Sequence, residues 1–329
     1  MLTKTAVRLV LAVLILAALM ALSGLDPAAV GETLGELGLR TWCAALAVHL
    51  LIYALRAWRF AVLVPVAERP GFGDTLVVSA AHNLAAQVLP AKTGELTLVV
   101  YLRARCGVSA ASAAASLLVS RLLDVLVLAL FGGAAALLVS REHGGLVAVL
   151  ATGLLAAAVA LALALRRAPD LARALERRTR GRGARAERVG AVGARLGEAL
   201  GAASGRDVLW RALALSVPLW ILVFAFWVVL AGDVGLPEHV GAIDSAFAAA
   251  LASLASLVPL SAFGGIGPME AGWQVGYSLV GVEADTALAV GLAVHLVQLF
   301  NVALFGGLAH LWMAVRPSSG ATPRARGVD

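Results

Sequence analysis

Seven polar or ionisable residues, His82, Asn83, Gln87, Lys92, Glu95, Arg121 and Asp124, stand within sequence that is otherwise apolar. Such groups are costly in hydrocarbon and mark substrate or ion pathways, so each is a candidate for function. Asn83 and Gln87 are four apart and share one helical face ahead of Pro90. Thr93 is placed to cap a helix after Pro90, which puts Glu95 in its first turn, near the positive end of the dipole and beside Lys92. Two readings of Glu95 stay open: a carboxylate that only stabilises a helix start, and a ligand for a cationic head group or a proton. Arg121 and Asp124, three apart, can satisfy each other. Alternatively, Arg121 turns to Glu95 or to a lipid phosphate, which its planar fork of donors fits.

A looser counterpart runs from Val258-Pro259 through Gly264-Gly265-Ile266-Gly267 to Pro268 and Glu270. Pro268 suits the first position of a helix, so Glu270 falls in the opening turn and Gln274 one turn later on the same face. Gly264, Gly265 and Gly267 leave backbone N–H groups free of side-chain bulk, which suits an anionic group at a helix start. Close helix packing is the competing explanation of these glycines. His295, Gln298 and Asn301 recur every third residue, and interhelical hydrogen bonding explains them equally well. The expected substrate-binding set is Asn83, Gln87, Lys92, Glu95, Arg121, Asp124, Gly265, Gly267, Glu270 and Gln274. No catalytic residue, metal ligand or cofactor is expected.

The elements that hold these residues are those of an all-α integral membrane protein. The chain of 329 residues is 61% hydrophobic and 14% charged, with a mean hydropathy of +0.91, whereas soluble domains are about half apolar. Its net charge of +6 comes from arginines in loops beside apolar spans, which suits an anionic leaflet and not nucleic acid, for which no recognition motif is present. Cys43 and Cys106 form neither a CxxC nor a disulfide framework.

A spanning helix needs about 20 mostly apolar residues, and six segments qualify: 6–23, 41–64, 110–140, 144–165, 208–231 and 284–315. The first also has the form of a secretory signal; an uncleaved helix is the preferred reading because many spans follow. Two interrupted regions, 75–103 and 243–281, read as re-entrant helical hairpins, with pairs of short spans as the alternative. Their broken backbones must be buried in protein or line a wet cavity.

The positive-inside bias puts Lys4, Arg8, Arg56, Arg59, Arg69, Arg103, Arg105 and the tail arginines in the cytoplasm. The 166–207 loop joins them, since Arg166 to Arg211 holds twelve Arg against five acids. Both termini are then cytoplasmic, and the hairpins enter from opposite sides, as in an inverted repeat with its site at the midplane. The chain divides into a first membrane half (1–165), the Arg-rich loop (166–207), a second half (208–315) and a disordered tail (316–329). Within the loop, Val189, Val192, Leu196 and Leu200 suit an amphipathic helix on the inner membrane surface; a solvated linker is the alternative.

With Asn83, Leu89-Pro90, Gly94-Glu95, Arg121, Asp124 and Gly264-Gly265-Ile266-Gly267 leading to Glu270, the sequence resembles the lysylphosphatidylglycerol synthase transmembrane-region family over residues 5–315. This is the flippase-like membrane domain of the bacterial multiple peptide resistance factor. In those larger proteins the membrane part precedes a soluble aminoacyl-transferase domain. This sequence stops at Asp329, so the expectation is the membrane part without lysyl transfer. The resemblance implies a bacterial cytoplasmic-membrane protein that moves a phospholipid or polyprenyl-phosphate-linked head group between leaflets. Its expected partners are membrane lipids and a separately encoded synthase. The alternatives are a polyprenyl-phosphate-dependent transferase and a non-catalytic partner of such a synthase.

Overall fold

The computed structural model describes residues 35, 37–139, 144–256 and 267–316, and all the elements among them are helical. The α-helices are α1 (Leu39–Leu63), α2 (Phe72–Val88), α3 (Thr97–Cys106), α4 (Ala110–Val139), α5 (Gly144–Thr179), α6 (Ala184–Ala203), α7 (Arg206–Asp233), α8 (Ala242–Ala255), α9 (Pro268–Ser278) and α10 (Ala284–Val315). Short 3-10 turns lie at Val66–Glu68 and Pro90–Leu96. The expected span 6–23 and the tail from 317 lie outside the described residues.

Four helices, α1, α4, α7 and α10, are long and apolar enough to cross a membrane. They correspond to the expected spans 41–64, 110–140, 208–231 and 284–315. Their outer faces leave Leu50, Leu51, Leu118, Leu130, Ile221, Val229, Phe300 and Leu308 exposed. In water such a surface would drive association; in lipid it is the solvated face. The inner faces use small residues, which let backbones approach closely. A Cβ on Gly132 would press on Ala250, one on Gly291 would overlap Trp273, and one on Gly306 would overlap Leu84.

The segment 144–165 is helical, but the helix does not stop there. α5 runs on through Pro169 to Thr179, taking the first part of the expected Arg-rich loop with it. α6 packs back along α5, with Gly190 against Thr179, Gly197 against Ala172 and Gly201 against Pro169. The apolar spacing of 189–200 therefore marks a helix, yet Val189 and Val192 stand exposed, while Gly190, Gly197, Ala199, Leu200 and Ala203 form the buried stripe. Glycines win the inner face because they bring the two backbones together.

The first interrupted region is helix, break, helix, and the second has a helix on each side of 257–266. In the first, Pro90 carries no N–H and pushes the preceding residue out of the helical region, and Leu89 is extended at φ −85, ψ 134. The chain resumes as the 3-10 turn, and a Cβ on Gly94 would run into the backbone of Ala85 and Ala86. The turn therefore folds tightly onto α2. Helix α3 begins at Thr97, four residues after the expected Thr93 cap, so Glu95 sits in the turn before it. In the second region, Gly272 and Gly276 of α9 press on Ala252 and Ala248 of α8. The connecting residues 257–266 are outside those described.

The packing of eight helices is unchanged when α1, α2, α3 and α4 are exchanged for α7, α8, α9 and α10. α1 meets α7 directly. α2 packs on α10 as α8 packs on α4, and the neighbours α1 and α2, α2 and α3, and α3 and α4 have the matching neighbours α7 and α8, α8 and α9, and α9 and α10. Each interrupted unit thus leans on the long helix of the other half.

Candidate functional site

Two polar clusters occupy equivalent places in this exchange. The first gathers side chains from α1, α2, the 3-10 turn, α4 and α7. Arg59 donates from Nη1 to Asp124 Oδ1 at 2.6 Å and to Ser216 Oγ at 3.0 Å. Arg121 donates to Glu95 Oε2 from Nη2 at 2.6 Å and from Nε at 3.0 Å, and from Nη1 to Asp124 Oδ2 at 3.0 Å. Arg121 therefore pairs with Asp124 on its own helix and also with Glu95 in the 3-10 turn. Trp220 Nε1 completes the set by donating to Asp124 Oδ1 at 3.0 Å. Arg56 donates to Asn83 Oδ1 at 3.0 Å, and Asn83 donates onward to Tyr53 Oη at the same distance. His82 Nε2 lies 3.7 Å from Glu95 Oε2, and its Nδ1 is 3.0 Å from Thr97 Oγ1.

Among the described side chains the cluster thus holds three guanidinium groups and two carboxylates, one positive charge in excess, with Arg59 and Arg121 paired to the carboxylates and Arg56 bonded to Asn83. Arg59 is fully buried, but the side chains of Arg121 and Glu95 remain 39% and 26% exposed. The accessible end of the cluster is therefore the Arg121–Glu95 clamp.

The second cluster is smaller. Glu270, in the first turn of α9, accepts from the Gly267 N–H at 2.6 Å and pairs with His295 Nδ1 on α10 at 2.5 Å. Both side chains are buried, and His295 Nε2 has no hydrogen-bond partner among the described residues. One turn along α10, Gln298 Oε1 accepts from Trp227 Nε1 at 2.8 Å. The correspondence with the first cluster extends to sequence spacing. Glu95 and its base Arg121 are 26 residues apart, Glu270 and His295 are 25 apart, and the next polar residue, Asp124 or Gln298, follows three positions later in each case. Helix α7 touches both clusters, through Trp220 and Trp227, which the helical rise separates by about 10 Å.

Of the residues expected to bind substrate, the structure brings together Asn83, Glu95, Arg121 and Asp124. Gln87 is half-buried one turn beyond Asn83 on α2. Glu270 is central to the second cluster, but the Gly267 N–H, expected to be open to an anion, is occupied by Glu270 itself. Gln274 turns away and donates to the Ala284 carbonyl at 3.4 Å. Gly265 and the side chain of Lys92 lie outside the described residues.

Arg56 and Arg59 are the residues that the sequence reading misplaced. Counted there as cytoplasmic loop charges, they lie inside α1 and face its neighbours. Their signal was present: two arginines three apart within the apolar span 41–64 share a face and demand partners. Asn301, by contrast, does what interhelical bonding predicts, donating to the Ala45 carbonyl at 3.4 Å.

A family model described as the lysylphosphatidylglycerol synthase TM region matches residues 6–306. The chain belongs to that family. No curated protein and no solved structure matches it. For this member of the lysylphosphatidylglycerol synthase TM-region family, the match includes every residue of both clusters, and it agrees with the four apolar helices in making the chain a membrane protein with a lipid-related role.

Proposed function

We propose that the protein translocates an anionic lipid head group, that of a phospholipid or a polyprenyl phosphate, between the leaflets of a bacterial cytoplasmic membrane. The observation that carries this is the first cluster: a buried guanidinium network with one positive charge in excess, opening through Arg121 and Glu95. In hydrocarbon an uncompensated cation is costly, and an anionic head group supplies the missing charge. Arg121 offers a phosphate a planar fork, while Glu95, displaced from it, holds a cationic head group. The acyl or prenyl tail stays in lipid throughout. In this reading the chain has six full spans with both termini cytoplasmic, and the two interrupted units are re-entrant hairpins of an inverted repeat. The exchange symmetry of the helix packing supports the repeat, and the match between the two carboxylate–base pairs supports it independently.

The test is leaflet exchange in proteoliposomes with fluorescent anionic, zwitterionic and polyprenyl-phosphate lipids. Exchange of one anionic class by the wild type, lost in Glu95→Gln and in Arg121→Gln, is the expected result. Exchange that survives both substitutions refutes the role of the cluster. No exchange of any class, with turnover of a sugar nucleotide instead, would replace transport by the transferase reading.

A further inference from the structure

We infer that the Glu270–His295 pair is a proton-binding site that couples head-group movement to proton movement. The inference rests on the lipid-translocation reading and assigns the second cluster a different task from the first.

The geometry places Nδ1 of His295 against a carboxylate oxygen. With Glu270 ionised, Nδ1 is the nitrogen that donates to it, and the other, Nε2, presents a lone pair. That nitrogen is buried, in a residue 1% exposed, and nothing among the described residues donates to it. Glu270 has its two oxygens on Gly267 N–H and His295. With His295 neutral, the pair carries one negative charge; with a proton on Nε2, it becomes an imidazolium–carboxylate pair of zero net charge. One proton therefore switches the charge of the second cluster, whereas the guanidinium that holds Glu95 at the equivalent place keeps its charge at every accessible pH.

The surrounding elements leave this switch to the pair itself. α8 has one ionisable side chain, Asp244, bonded to the Gly241 N–H at its own start. α9 adds only Tyr277. α7 has Arg206, Asp207 and Arg211 in its first turns and Asp233 at its far end, held by Thr41. On α10, Asp285 is in the first turn, and His310 bonds Tyr101 and the Gly306 carbonyl. Of the helices from the first half that touch α10, α2 brings Asp74, which is bonded to Arg105, and His82. α1 brings Arg40 at its start, Tyr53, Arg56 and Arg59, the last three in the first cluster, and His49, which is stacked among Tyr53, Phe226 and Phe305. The sequence 257–266 has no ionisable residue.

The charges balance: a singly anionic head group neutralises the excess positive charge of the first cluster, and one proton neutralises the second. Movement of the two together carries no net charge. Trp220 and Trp227 place both clusters on α7, the element through which occupancy of one can reach the other.

The experiment is lipid exchange in proteoliposomes across a pH series and under an imposed pH gradient, with wild type, His295→Gln and His295→Lys. In parallel, ring-nitrogen NMR of histidine-labelled protein follows His295, identified by its loss in His295→Gln. The expected result is a wild-type rate that changes about tenfold per pH unit on one side of the His295 midpoint, as for a single linked proton, and net exchange driven by the gradient. Both dependences vanish in His295→Gln. His295→Lys, whose fixed charge stands in for the bound proton, also loses the pH dependence. Exchange that is equally fast at every pH and indifferent to the gradient in the wild type overturns the inference and leaves the translocation reading intact. A His295 ring that does not titrate where the rate changes overturns it as well. Absence of exchange in the wild type defeats both.

Discussion

Replacing Asp124 by Asn should destabilise the protein by about 4 kcal/mol, and the structure shows where that figure arises. Asp124 accepts from Arg59, Arg121 and Trp220. Asparagine preserves its size and removes its charge. Among the described residues Arg59, fully buried, then retains Ser216 as its neutral partner, and its Nε has none. Breaking one partner out of a buried pair costs about 3–5 kcal/mol because the other charge is left uncompensated. Arg121 adds less than about 1 kcal/mol, since it keeps Glu95 and is partly exposed. The same reasoning predicts that Arg59→Met combined with Asp124→Leu loses less than Asp124→Asn alone, because the buried cation is gone; the remaining loss is about 1 kcal/mol for the orphaned Trp220 N–H. Denaturant unfolding of the pure protein in detergent, arranged as a double-mutant cycle, checks both claims. An Asp124→Asn variant within about 1 kcal/mol of wild type, or a double variant no better than the sum of its parts, would refute the assignment of Asp124 as counter-ion to Arg59.

Glu95→Gln should behave differently: with both partners partly exposed, stability changes by less than about 1 kcal/mol, while leaflet exchange is lost, and comparing unfolding with exchange for the one variant separates the two effects. Trp220→Phe, which keeps the ring packing but deletes the donor to Asp124, should cost about 1 kcal/mol in the same unfolding assay and leave the second cluster intact. Gly291→Ala drives a methyl group into the fully buried Trp273, an overpacking worth about 1–3 kcal/mol, read as a fall in thermal midpoint; Gly107→Ala, where φ is +71 but no atom lies near, loses less.

The long helices were legible because a continuous apolar run of this length has one stable form in a bilayer. The break at Leu89-Pro90 was legible too, as was the helix start at Pro268. What sequence could not give was the partner of each polar residue. Arg121 had two plausible bonds and makes both, because the turn at Gly94 folds tightly enough on α2 to bring Glu95 within reach. Arg56 and Arg59 near the end of a span look the same whether they snorkel to the surface or turn inward; only the acceptors Asp124, on α4, and Asn83, on α2, decide it. The pairing of Glu270 with His295 was hidden for the same reason. Each residue was a candidate, but helical spacing says nothing about contacts between α9 and α10.

The two clusters also explain why a repeated architecture carries unequal chemistry. Had both long helices placed an arginine opposite the glutamate, both clusters would be permanently ionised, and nothing in the pair could respond to the direction of a gradient. Two histidines would leave Arg56 and Arg59 balanced by Glu95 and Asp124, with no fixed excess of positive charge to recruit an anion into hydrocarbon. With Arg121 on one side and His295 on the other, one half offers a constant attraction and the other a charge that a single proton can cancel. The shared scaffold supplies similar spacing, since Glu95 and Glu270 each meet the following long helix at nearly the same sequence separation. Swapping the bases is therefore the sharpest probe of the division of labour: Arg121→His with His295→Arg preserves the inventory of charge-bearing groups while exchanging the halves, and it should reverse the side of the membrane from which pH acts on exchange.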